Sequence, residues 1–174
     1  MESRAKLFGH SIHQMLIVFP LGLLATAVVF DIVYLAGDSA LFAALAFWLI
    51  VAGLVGGLLA APFGLIDWLA IPRGTRAKRI GAVHGTGNLV VVALFAVSAF
   101  LRWELPAEAP VLAYVCSFAG AGLALVTAWL GGELVARLGI GVYDGANPNA
   151  SSSLRGGPID VHPTMAAQGR HRPA

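Results

Sequence analysis

The chain has 174 residues, of which 58% are hydrophobic and 11% charged, with a mean hydropathy of +0.81. A soluble domain carries about a quarter charged residues, so an ordinary surface in water is excluded and lipid is the expected solvent. The length allows one compact domain and little more, the net charge of +2 matters less than where the basic residues fall, and the single cysteine, Cys116, excludes an intrachain disulfide.

The first apolar run spans roughly residues 14–36 behind a short basic stretch with Arg4 and Lys6. It is longer than the core of a cleaved signal peptide, about 7–15 residues, and reads as an uncleaved transmembrane helix. A span needs about 20 mostly apolar residues, and three further runs qualify. The second starts near Leu41, the third covers roughly 81–102 and the fourth roughly 109–134. Lipid cannot satisfy unpaired backbone amides, so the spans are predicted to be helices; the alternation of barrel strands is absent. Pro20 is expected to kink the first helix. Pro62 leaves two alternatives for the second: a kinked helix, or a turn along the interface at "FGLIDWLAIP". Trp48, Trp68, Trp103 and Trp129 fall mostly toward helix ends, as interface anchors do.

After the fourth run the chain becomes rich in Gly, Pro, Ser and Asn and loses its apolar pattern. The expected organisation is a transmembrane domain over 1–139 and an irregular tail over 140–174. Small residues such as Gly53, Gly57, Gly81, Gly85, Gly120 and Gly122 suit close helix packing in lipid. With short connections, the expected fold is all-α, an antiparallel up-down-up-down bundle of four transmembrane helices. Seven basic residues (Arg4, Lys6, Arg73, Arg76, Lys78, Arg79 and Arg137) lie at one set of helix ends and only Arg102 near the other. Positive charge stays in the cytoplasm, so both termini are expected there, in a multi-pass protein of a bacterial inner membrane.

Ionisable groups inside spans are costly and usually functional. At the cytoplasmic ends stand His10 and His13, Asp67, His84 with Asn88, and Glu133, so all four helices bring a polar group to one layer. His10 and His13 are three apart, and His84 and Asn88 four apart, so each pair shares a face where its segment is helical. Gly81, Gly85 and Gly87 leave space beside His84 for a neighbouring helix or a flat ligand. Structural readings stand beside these. Asp67 is placed to cap a helix or pair with Arg73 or Arg76, and Glu133 to pair with Arg137 at the favourable spacing. At the outer ends, Asp31 and Arg102 lie at similar depth and are expected to form a structural ion pair. His162 and His171 fall in the tail without positional signal.

The same residues carry a family resemblance. "GHSIHQMLIVFPLGL", Asp31, "GLID" ending at Asp67, His84 with Asn88, "GGELV" and "GIGV" resemble the bacterial membrane proteins catalogued as domain of unknown function 2231. The likeness covers roughly residues 7–142 and implies a four-helix bacterial membrane protein without an established activity. Some relatives are joined to Rieske-type iron–sulfur domains, which implies redox company; this chain, with one cysteine, lacks such a ligand set. Ser11 and Gln14 stand where the family pattern has prolines.

Three functions follow as expectations. The leading one is a non-catalytic accessory or assembly subunit, not an enzyme, whose polar layer stabilises the bundle or meets a membrane-protein partner or a second copy. The second is a redox component that binds haem b or a single transition metal. His13 and His84 would be its ligands, with His10 as alternate and Asn88 beside them, or with Asp67 and Glu133 completing a metal site. The third is proton or small-ion transport by an oligomer. The basic connection "RGTRAKR" is read as facing anionic lipid headgroups, not nucleic acid.

Overall fold

A computed structural model describes residues 1–155. His162, His171 and the rest of the tail beyond Arg155 lie outside the described residues. The chain begins with a hairpin of two short strands, β1 (Lys6–Leu7) and β2 (His10–Ser11). Five α-helices follow among the described residues: α1 (Ile12–Leu16), α2 (Val18–Gly37), α3 (Ala40–Ala70), α4 (Arg76–Leu101) and α5 (Val111–Gly132). The last runs into a wider π turn over Glu133–Arg137. Among the described residues, four segments are long and apolar enough to cross a membrane: Ile12–Gly37, Ala40–Ala70, Arg76–Leu101 and Val111–Arg137. The fold is therefore an all-α membrane bundle.

The two prolines act differently. A proline lacks the N–H and crowds the carbonyl four residues back. For Pro20 that residue is Leu16, and α1 ends there; Pro20 then sits in the first turn of α2, where its missing donor costs little. Where the first helix is expected to kink, only Ile17 separates the two, and it keeps a helical backbone (φ −63°, ψ −18°). The amides of Ile17 and Leu21 still donate to the carbonyls of His13 and Ile17, so α1 and α2 together form one span. Pro62 lies inside α3, which continues unbroken through it to Ala70 and does not turn along the interface.

The packing matches a lipid environment. Ala27, Ala43, Ala46 and Ala113 are fully buried, whereas Leu58, Phe100, Leu125 and Trp129 point outward. Without a hydrophobic drive between helices, close approach of small residues supplies the contact. α2 lies along α3, α4 lies along α5, and the two pairs meet through α3 and α4. Leu24, Phe47, Ile50, Val91 and Phe95 fill the centre.

Glycines differ in what they admit. A Cβ on Gly53 would sit 2.7 Å from Leu24, and one on Gly120 would sit 2.9 Å from Phe95, whereas one on Gly122 meets nothing within 4 Å. In a helix, Gly→Ala gains up to about 1 kcal/mol of propensity. Gly122→Ala is therefore expected to be neutral or stabilising. Gly120→Ala is expected to lose about 1–3 kcal/mol, because the fully buried Phe95 has little room to yield. Thermal unfolding of the two variants in detergent checks the order; equal midpoints would show that α5 does not meet Phe95 through Gly120.

The segment after the π turn is irregular but not loose as far as it is described. Gly141 N–H donates to the Met1 carbonyl (2.9 Å), the Tyr143 hydroxyl to the Gly9 carbonyl (2.5 Å) and the Ser153 hydroxyl to the Phe8 carbonyl (3.0 Å). The Lys6 ammonium lies over the Tyr143 ring, 4.4 Å from its centroid. It also bonds Glu2, and that hydrogen bond holds its pKa above the usual lysine value.

Candidate functional site

Polar groups inside the helices gather at two levels. The first holds the residues singled out in the sequence. His84 lies in the third turn of α4, and its Nδ1 is 2.8 Å from the Thr127 carbonyl of α5. A carbonyl only accepts, so Nδ1 carries the proton and Nε2 is the acceptor. Asn88, one turn along α4, donates its amide to that Nε2 (3.1 Å) and takes the Thr127 hydroxyl on its Oδ1 (2.9 Å). His84, Asn88 and Thr127 thus form a closed ring that ties α4 to α5.

His13 is in α1, and its Nδ1 is 3.1 Å from the Ala60 carbonyl of α3. The ring occupies the space over Gly64, where a Cβ would sit 2.8 Å from Cε1. His10 stands in β2, exposed, so it shares no helical face with His13. The register of the hairpin, with Leu7 opposite His10, removes it from the helix that the spacing of three suggested.

The two carboxylates also find partners other than those expected. Asp67 takes the Ser3 hydroxyl on both oxygens (2.8 and 2.7 Å) and the backbone N–H groups of Arg4 (2.7 Å) and Ala5 (3.3 Å). It neither caps α3 nor pairs with Arg73 or Arg76. It holds the N-terminal segment, because a buried carboxylate needs donors and consecutive backbone amides supply them at no side-chain cost. Glu133 pairs with Arg76 at 2.7 Å, not with Arg137. Arg76 opens α4 beside the end of α5, whereas Arg137 is exposed.

These arrangements test the fit of a haem or metal. An iron at His84 Nε2 would compete with Asn88 for the same lone pair. The glycine space that suggested a flat ligand is filled by protein: a Cβ on Gly81 would meet Trp68 at 2.7 Å, and one on Gly87 would meet Thr127 at 2.6 Å. Gly85 is open, but its position is exposed. Among the described residues, no group of three or more His, Cys, Asp or Glu side chains is placed to hold a metal ion. His84 is thus committed to Thr127 and Asn88, and Asp67 and Glu133 are each committed elsewhere.

The second level is more deeply buried. Arg102, which ends α4, meets Asp31 of α2 with both terminal nitrogens, at 2.5 and 2.9 Å, and both side chains are fully buried. Arg102 Nε donates to Ser98 (3.1 Å) and Nη2 also to Ser117 of α5 (2.9 Å). The two serines lie 2.8 Å apart, and Ser98 donates to the Ala113 carbonyl (2.7 Å). The guanidinium sits 4.6 Å from the centroid of the Tyr114 ring. This network joins three helices. Sequence reasoning missed Ser98, Ser117 and Thr127, because a lone hydroxyl in a span is common and inexpensive; only Ser98, one turn before Arg102, carried a spacing signal.

The family described as "Predicted membrane protein (DUF2231)" matches residues 9–144. No curated protein and no solved structure matches the chain. The match takes in all four spans and both polar levels, and the chain belongs to this DUF2231 family of membrane proteins.

Proposed function

We propose that this protein is a non-catalytic accessory or assembly subunit of a bacterial inner membrane, acting on a membrane-protein partner or a second copy of itself. The observation that carries this reading is where the polar side chains within the spans spend their hydrogen bonds. His84, Asn88, Thr127, Asp31, Arg102, Ser98 and Ser117 bond one another or backbone carbonyls across helix pairs. Groups used in this way set the bundle's geometry. A ready-made scaffold suits a protein that organises others.

Two measurements test the proposal together. Quantitative proteomics of membranes lacking the protein is expected to show selective depletion of one other membrane protein or complex; an unchanged membrane proteome would overturn the accessory role. Reduced-minus-oxidised absorbance of the purified protein is expected to be featureless. A Soret band lost in His13→Ala and His84→Ala would replace this reading with haem binding.

The orientation belongs to the same proposal. The cluster of basic residues, four of them between Arg73 and Arg79, supports a cytoplasmic location for the ends that carry it. A reporter active only in the periplasm, fused after Ala174, is expected to be silent, and a cytoplasmic reporter at the same place active. The reverse pattern would invert the assignment.

A further inference from the structure

The N-terminal hairpin presents its apolar side chains away from the protein. Lys6 and Ser11 lie opposite each other on one side of it, Ser11 buried and Lys6 over the Tyr143 ring, whereas Leu7 is 47% exposed and Phe8, at the tip, 75% exposed. Phe8 also holds a left-handed backbone, φ +49°, followed by Gly9 at φ +87°. A two-residue turn of this kind favours Asn or Asp before Gly, and a bulky residue at positive φ is uncommon. The turn is secured from behind: Ser153 and Tyr143 donate to the carbonyls of Phe8 and Gly9. The turn keeps this uncommon conformation with its aromatic ring facing outward, and among the described residues no protein surface covers it.

The depth of the hairpin indicates what does receive it. Ser3, Arg4 and Ala5 are bound to Asp67, three residues before the end of α3, and Ile12 N–H closes back on the Ala5 carbonyl (3.0 Å). α3 has 31 residues, about 46 Å at 1.5 Å per residue. The hydrocarbon layer is about 30 Å thick, so a centred α3 extends roughly 8 Å beyond it at each end. The hairpin therefore lies at headgroup depth, where exposed Phe and Leu side chains can bury at the boundary between headgroups and acyl chains. Its exposed side continues into the outward-facing Met15, Val18 and Phe19 at the start of the first span.

We infer that the hairpin tip is an interfacial membrane anchor: Phe8, with Leu7 beside it, inserts at the boundary between headgroups and acyl chains of the bilayer that the bundle spans. The anchor fixes the depth of the start of the first span, independently of any role of the polar levels.

Site-directed spin labelling tests this in the full chain. In a Cys116→Ser background, nitroxides are placed at Phe8→Cys, at the lipid-facing Val18→Cys and at the exposed Asn149→Cys, in phosphatidylethanolamine–phosphatidylglycerol vesicles. The ratio of relaxation by oxygen to relaxation by a water-soluble nickel chelate is expected to be several-fold higher at position 8 than at 149, and below that at 18. Leu7→Cys is expected to follow position 8 and serves if the tip variant misfolds. A ratio at positions 7 and 8 equal to that at 149 would place the tip in water and overturn the inference. Labels reached by neither reagent would mean burial against another protein, and would overturn it equally.

Discussion

Arg102→Met is expected to destabilise the protein by about 3–5 kcal/mol, because it leaves Asp31 buried without a counter-charge. Asp31→Leu is expected to cost a similar amount by stranding the guanidinium, which Ser98 and Ser117 can hydrogen-bond but not neutralise. The double variant is expected to recover most of that loss, since two apolar residues remove both charges and both desolvation costs. Equilibrium unfolding in mixed detergent micelles supplies the cycle. Additive losses, or silent single variants, would show that the two groups do not stabilise each other. The magnitude rests on complete burial; the Arg76–Glu133 pair, whose arginine is exposed, is expected to matter much less.

Asp67→Ala acts locally. It removes the acceptor for a hydroxyl and two backbone N–H groups. A hydrogen bond to a charged group contributes about 1.5–3 kcal/mol, and water at the interface replaces part of what is lost, so the N-terminal segment is expected to loosen by about 3 kcal/mol. Amide exchange should accelerate first at Arg4 and Ala5. It should also accelerate at Gly141, whose N–H rests on the Met1 carbonyl. Asp67→Asn should fall between, keeping an acceptor without the charge. Exchange at Arg4 and Ala5 that matches the parent protein would mean the carboxylate does not hold the segment. Faster exchange there with Gly141 unchanged would mean that residues 139–153 are held by other means.

What could be read in the sequence and what could not divide along a physical line. Position along a span is visible, because hydrophobic length fixes depth. That is why four spans, and the common depth of Asp31 and Arg102, follow from composition and spacing. Rotation about a helix axis is not visible when every face is apolar. The sequence therefore could not say that Gly81 receives Trp68 or that Gly64 receives His13. Backbone partners leave no residue signature either, so the donors to Asp67 were hidden, and the nearby arginines drew the pairing instead. His10 shows a third limit. A spacing of three reads as a helical face, but Gly9 ahead of it closes a turn and puts His10 in a strand.

The Asp31–Arg102 pair also bears on how the protein is made. The two residues are 71 positions apart in the chain. At about 5–20 residues per second, the ribosome delivers Arg102 roughly 4–14 s after Asp31, and Ser117 later still. During that interval the first span carries an acidic side chain whose eventual counter-charge does not yet exist. Until α4 arrives, the side chain of Asp31 has to meet its polar needs with water or another partner. The first helix becomes a settled membrane resident only when the third span is complete, so the order of synthesis and the order of burial are different in this protein.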